Sequence, residues 1–351
     1  RRLFFVSAGN VNPQELTEEK YPDLNIISSV QNPGQAWNAI TVGAYSRDVQ
    51  IDEATMCDYQ AVADSGELSP YSSTSALWDN KWPIKPEILC DGGNVATDGT
   101  YFTSCADLSL LTTHSKPMTR LFSTICGTSA ATAQAAWMGA QIMAVYPNIW
   151  PETVRALLIH SARWTDKMRA QFGFPDQKTT GRHRLLRTCG YGIPDLSKAI
   201  QCMNNSVNMI IEGELQPFVR GGMNEMHIHK IPWPREVLQD LGEVPAEMRV
   251  TLSYFVEPGP GEVGWKDKYR YPSCQLRFET INHNEAKDDF LKRINVNMRG
   301  EDKKDKGEGS SGSEHWYLGE ARDVGSIHSD FRCQNAVVLC EANYIAVYPV
   351  I

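Results

Sequence analysis

The chain has 351 residues, 42% of them hydrophobic, with 34 basic against 42 acidic side chains and a net charge of −8. That length exceeds a single ordinary domain and allows at least one sizeable core, so two domains are expected. No stretch gathers Lys and Arg among aromatic residues as a nucleic-acid groove requires, and no apolar run reaches the ~18 residues that span a bilayer, so neither nucleic acid nor membrane is an expected partner.

In chain order, "LFFVSA" (3–8) reads as a strand that runs into Gly9 and Asn10, with an apolar part too short for a secretion signal. The polar stretches 11–32 and 46–75 suit surface loops, and the β-branched "AITVGAY" (39–45) between them reads as a second strand. Helical patterns follow at 130–146 and 151–162. The second opens on Pro151 and aligns Val154, Leu157, Leu158 and Ala162 on one face. Interleaved strands and helices make residues 1–205 an α/β domain.

The first of those helices begins in "STICGTSAATAQAAWMGAQI" (123–142), apolar on every side until Pro147 ends it, which predicts a buried helix. Ser129 stands in its first turn. There a hydroxyl can simply cap free N–H groups, or it can serve as an acyl-transfer nucleophile where the helix dipole favours developing negative charge. Asn10, after Gly9, is either a turn residue or a hydrogen-bond donor to such a site.

From about residue 206 the texture changes to alternating strands separated by Pro and Gly: "EMRVTLSYFVEPGPGE" (247–262), "QLRFETI" (275–281) and "CEANYIAVYPVI" (340–351). They predict an all-β, jelly-roll-like sandwich over 206–351, with two sheets about 10 Å apart. Within it, the Gly/Ser-rich, charged segment 299–313 predicts a mobile loop.

Nine cysteines are scattered without any CxxC spacing, which argues against a disulfide framework or a zinc ribbon and fits buried thiols in a reducing, cytoplasmic location. Cys126 reads as a small buried apolar residue. His114 sits in a polar stretch and reads as solvated, and His160 as a packed or capping residue. His227 and His229, two apart in a strand, face the same way but have no evident third ligand, so neither metal nor cofactor is predicted.

Five segments in order resemble the subtilisin-like serine peptidases, the subtilases. "FVSAGN" (5–10) resembles the strand ending in that family's oxyanion-hole asparagine, and "NPGQAWNAITVGAYS" (32–46) the pocket loop and core strand that follow. "KPEILCDGGN" (85–94) is similar to a Lys-Pro-Asp-Ile-x-Ala-Pro-Gly segment, with Asp91-Gly92-Gly93 in place of Ala-Pro-Gly. "GTSAATAQAAWMGAQIMAVYPNIWPETVRALLIHSA" (127–162) resembles the nucleophile helix and its successor, with Ala133 where proline is usual, and "GYGIPDLSKAI" (190–200) the closing segment of the domain.

The resemblance implies a subtilisin-like, three-layer parallel-sheet domain and a serine endopeptidase that cleaves protein or peptide substrates through an acyl-enzyme. It implies Ser129 as nucleophile and Asn10 in the oxyanion hole. In the family, the catalytic Asp and His precede the asparagine, so the resemblance implies that this is the C-terminal part of a larger protein whose missing N-terminal part carries them. The fragment alone is then expected to be inactive. A subtilase-fold pseudoenzyme or protein-interaction module is the alternative; an α/β-hydrolase fails because Ala131 stands where a nucleophile elbow needs Gly.

Overall fold

A computed structural model of the chain describes residues 2–16, 21–52, 54, 56–173, 179–201, 208–220, 222–257, 274–299 and 316–350. The chain divides into two compact units, Arg1–Ile200 and Gln201–Ile351.

The first unit is built on a parallel sheet of β1 (Phe5–Ser7), β2 (Ile40–Tyr45) and β3 (Ile88–Asp91), in that order. Phe5, Val6 and Ser7 pair with Ile40, Thr41 and Val42, and Val42 through Tyr45 pair with Ile88 through Asp91. The strands are short and β2 and β3 are buried nearly throughout, as a parallel sheet covered on its faces requires. A buried ion pair fixes the entry of two strands: Lys85 Nζ donates to Ala39 O (3.0 Å) and pairs with Glu87, whose Oε2 accepts from Thr41 N–H (2.7 Å).

Helix α2 (Thr128–Val145) lies on this sheet. Ala131, Ala135, Gly139 and Ile142 recur at helical spacing and are buried, and the small size of the first three lets the helix axis come close. At Gly139 a Cβ would stand 2.7 Å from Phe5 Cζ, so the glycine makes room for the strand's aromatic ring. The expectation of a helix buried on every side does not hold: Trp137, Met143 and Val145 are exposed. The contact with the sheet is made by this narrow stripe, and Trp137, Met143 and Val145 fall outside it. Helix α3 (Pro151–Ser161) starts at its proline and buries Val154, Leu157 and Leu158 as the periodicity implies.

Parts of the segments read as surface loops are interior. Within 11–32, helix α1 (Asp23–Ile27) and its neighbours contribute Val11, Leu16 and Leu24 to a cluster with Tyr71 and Val95. Leu68 through Ser75 are all buried. Irregular backbone can be buried only if its polar groups find partners, and here Asn25 provides them: its fully buried amide donates to the carbonyls of Ser69 (3.1 Å), Pro70 (3.1 Å) and Ser72 (2.9 Å). Polar composition at these positions encodes an internal scaffold.

Between β3 and α2, a two-stranded antiparallel ribbon, β4 (Leu110–Thr113) and β5 (Phe122–Ile125), stands out from the unit. This ribbon is not among the elements expected above, although "LLTT" and "FSTI" around Ser-Lys-Pro carry a hairpin signal.

In the second unit, β6 (His227–Lys230), β10 (Tyr344–Val350) and β8 (Gln275–Thr280) form an antiparallel sheet in the order β6-β10-β8, and β7 (Pro245–Ser253) pairs with β9 (Ile327–Asn335) along nine residues. The two sheets pack through Met248, Phe278, Trp316, Leu339 and Ile345. The all-β expectation fails at 287–299. There α4 (Lys287–Arg299) lays Phe290, Ile294 and Met298 on Ala346, Tyr348 and Val350, covering the other face of the β6-β10-β8 sheet. The i, i+4, i+8 spacing of those three residues is the helix signal that the surrounding charges conceal. Residues 300–313 of the expected mobile loop lie outside the described residues.

Candidate functional site

The site forms where the end of β1 meets the start of α2. Ala8 continues the parallel pairing through its N–H to Val42 O (2.9 Å), and the chain then leaves the sheet. Ser73 N–H donates to Gly9 O (3.2 Å), Val11 N–H donates to Tyr71 O (2.9 Å), and Asn10 bridges Ser72. These bonds hold the Asn10 backbone on the interior scaffold with its side chain directed toward α2.

There it is fixed. Thr128 donates twice to Asn10 Oδ1, from its backbone N–H (2.8 Å) and from Oγ1 (2.9 Å). Two donors on one atom identify that atom as the amide oxygen, so the NH2 end of Asn10 faces away from Thr128, and neither of its hydrogens has a partner among the described residues. Gly127, at the N-cap of α2, has φ +107°, and a Cβ there would lie 2.9 Å from Asn10 Oδ1 and 3.1 Å from Nδ2. Both the left-handed backbone and the close approach demand glycine. Gly127 is itself held by its N–H to Gly92 O (2.7 Å).

Ser129 is the next residue and is exposed. Its neighbours satisfy their N–H groups, Thr128 on Asn10 and Ala130 on Gly127 O (3.1 Å), whereas the Ser129 N–H has no partner among the described residues. An open N–H in the first turn of an 18-residue helix, where the backbone dipoles sum to positive potential, is a ready anion donor.

Beneath the helix start lies Asp91, 3% exposed. Burial raises its carboxyl above the usual range despite the Gly93 N–H (3.1 Å to Oδ1) and Arg47 (Nε 3.4 Å from Oδ2). Gln134 ties α2 to this segment through Nε2 to Asp91 O (2.6 Å). Cys126, three residues before Ser129, donates its thiol to Ser109 Oγ (3.0 Å), and burial pushes that thiol up, so it stays protonated and is no competing nucleophile.

No described histidine hydrogen-bonds Ser129. His114 sits at the far end of the β4–β5 ribbon and accepts Lys116 N–H (3.0 Å). His160 is in the last turn of α3. His227 and His229 share a face of β6, their rings 5.7 Å apart edge to face, and burial together with His227 lowers His229. Among the described residues no third ligand joins them. Asn10 and Ser129 are thus brought into one constellation, and Thr128, which the sequence reading leaves unassigned, is the residue that orients Asn10. Only the adjacency of Thr128 to Ser129 signals its part.

Ser129 and the Asn10 amide are thus presented together between a parallel strand and a helix N-terminus on an α/β unit. The subtilase family profile matches residues 1–192, and the chain belongs to that family. An uncharacterized protein of Sinorhizobium fredii, y4bN, is 27% identical over 266 residues, covering 72% of this chain and 58% of its own length; the chain thus spans little more than half of that relative. Among solved structures, the epidermin leader peptide processing serine protease of Staphylococcus aureus aligns with 58% of this chain and 40% of its own at 15% identity (TM-score 0.31). MycP1 of Mycobacterium smegmatis aligns with 63% and 46% at 17% identity (TM-score 0.31). Among the described residues no helix is long and apolar enough to cross a membrane.

Proposed function

We propose that this chain carries the nucleophile and oxyanion hole of a subtilase serine endopeptidase acting on protein or peptide substrates. The observation that supports it best is the pairing of one open N–H, on Ser129, with an asparagine amide whose oxygen is doubly engaged by Thr128, which leaves two donors for one developing oxyanion.

In the proposed reaction the Ser129 hydroxyl attacks the scissile carbonyl carbon. Its proton passes to a base, and the carbonyl π pair moves onto oxygen, where Ser129 N–H and Asn10 Nδ2–H receive it. The C–N bond then breaks, the base protonates the departing amine, and water hydrolyses the Ser129 ester. No cofactor is needed. The base and the carboxylate that orients it are proposed to come from polypeptide N-terminal to these 351 residues, and the working compartment to be cytoplasmic. The pseudoenzyme or interaction-module reading draws on the lack, among the described residues, of a base at Ser129.

The test has two arms. The 351-residue chain alone should not hydrolyse casein or peptide esters; robust turnover abolished by Ser129→Ala would mean that a base lies within it. In the whole gene product, Asn10→Ala should lower kcat about 10²–10³-fold, the size known for such a donor in subtilisin itself, with KM little changed, because the donor meets its oxygen only in the transition state. A raised KM with kcat intact would make Asn10 a binding or structural residue. A whole gene product with no peptidase activity would favour the interaction module.

A further inference from the structure

The β4–β5 ribbon leads directly into α2, and its large apolar side chains face solvent. Leu111 is 72% exposed, Phe122 56% and Met118 97%, with Leu121 and Ile125 also open. The register pairs Leu111 with Thr124 and Thr113 with Phe122, so Leu111 and Phe122 are diagonal neighbours on one face, close enough to form a single apolar strip. A two-stranded ribbon is marginal alone, yet this one is held at both ends. At the root, Asn94 N–H donates to Leu108 O (2.9 Å), Cys126 to Ser109 Oγ and Gly127 to Gly92 O. At the tip, His114 N–H donates to Leu121 O (2.9 Å) and Thr119 Oγ1 to Lys116 O (2.8 Å). The ribbon is ordered before anything covers it.

Its charge is as distinctive as its apolarity. From Leu108 to Ser129 the sequence contains Lys116 and Arg120, both exposed, and no Asp or Glu, in a chain of net charge −8. A second copy would bring like charges together through the same strip, which disfavours ribbon-to-ribbon pairing. A basic, apolar ribbon also suits an anionic bilayer, but this one ends at Ile125, four residues before Ser129, which places it beside the proposed chemistry.

We infer that the β4–β5 ribbon is a substrate-docking surface that selects extended peptide segments with apolar side chains interspersed with Asp or Glu. The inference rests on the reading of Ser129 as nucleophile. An extended segment would lay alternate side chains on Leu111 and Phe122 while Lys116 and Arg120 meet its carboxylates, so docking would hold the neighbouring peptide bond near Ser129.

The experiment is fluorescence anisotropy of labelled peptides on the 351-residue chain carrying Ser129→Ala, which binds without chemistry. An alternating Leu/Phe/Glu dodecapeptide should bind about tenfold or more tightly than its Lys counterpart, and the difference should shrink as salt screens the pair. Phe122→Ser and Leu111→Ser should each weaken the acidic peptide about tenfold, since each removes most of a desolvated apolar contact. Lys116→Glu with Arg120→Glu, exposed changes that leave the fold intact, should reverse the preference. Equal binding of both peptides, or binding unaffected by all four substitutions, overturns the inference. So does concentration-dependent dimerisation abolished by Phe122→Ser, or ribbon-dependent binding to phosphatidylserine vesicles that the peptide does not displace. Because turnover plays no part, loss of the nucleophile reading would show as an inactive whole gene product with peptide selection intact.

Discussion

Around the start of α2 the buried polar groups are mostly small and neutral: the Asn25 amide under Ser69, Pro70 and Ser72, and the Ser46 and Ser69 hydroxyls on Gly93 O. In the second unit they include a charged network. Arg322, 1% exposed, pairs with Asp330 (2.9 Å) and Glu279 (3.2 Å), stacks 4.3 Å over Phe278, and lies beside Asp323 (3.6 Å). Burial raises the Asp330, Glu279 and Asp323 carboxyls and lowers the nearby Arg332 to about 10. Neutral amides and hydroxyls satisfy backbone that must bend to present a site, whereas a guanidinium among carboxylates links side chains of strands that are already regular. The first arrangement spends interior volume on shape, the second on joining sheets.

Three substitutions probe that contrast. The largest effect is expected from Arg322→Met, which leaves buried carboxylates without their cation and should destabilise the second unit by about 3–5 kcal/mol in urea, followed through the buried Trp316. A loss below about 1 kcal/mol would mean that the carboxylates protonate at little cost and that the network is dispensable. Asn25→Ala should cost about 2–3 kcal/mol in the first unit, because three carbonyls lose one shared amide. It should also reduce activity of the whole gene product through Ser72, which bridges Asn10. Unchanged stability would show that water replaces the amide and that the segment is no scaffold.

The smallest effect belongs to Asp91. Its folded-state carboxyl is raised by burial, so its contribution to stability is full at pH values below the ordinary carboxylate range and is lost as pH rises through the raised value. Asp91→Asn should therefore be more stable than the parent at pH 7, by under about 1 kcal/mol, and the gain should vanish near pH 3. A variant less stable at pH 7 would mean that the Arg47 contact outweighs desolvation.

Much of the first unit is legible in the sequence because its signals are local. Pro151 starts a helix, the alanine-rich run makes one, and the β-branched "AITVGAY" makes a buried strand, all without knowledge of tertiary contacts. The burial of 68–75 is not legible, since a run of serines looks solvated until Asn25, more than forty residues away, is seen to satisfy it. At the site, Ser129 and Asn10 stand out by motif, but the orientation of the Asn10 amide depends on Thr128, a contact across 118 residues. In the second unit the strands alternate visibly, while α4 is hidden because charged residues surround its three buried apolar positions.

Acylation of Ser129, with the oxyanion held between its own N–H and Asn10, is the chemistry on which the proposed function stands. The most direct measurement is reaction of the whole gene product with a fluorophosphonate, followed by peptide mapping of the adduct. A single adduct on Ser129 is expected, absent in Ser129→Ala and formed far more slowly in Asn10→Ala. An adduct on another serine, or active peptide hydrolysis with Ser129 unlabelled, would contradict it.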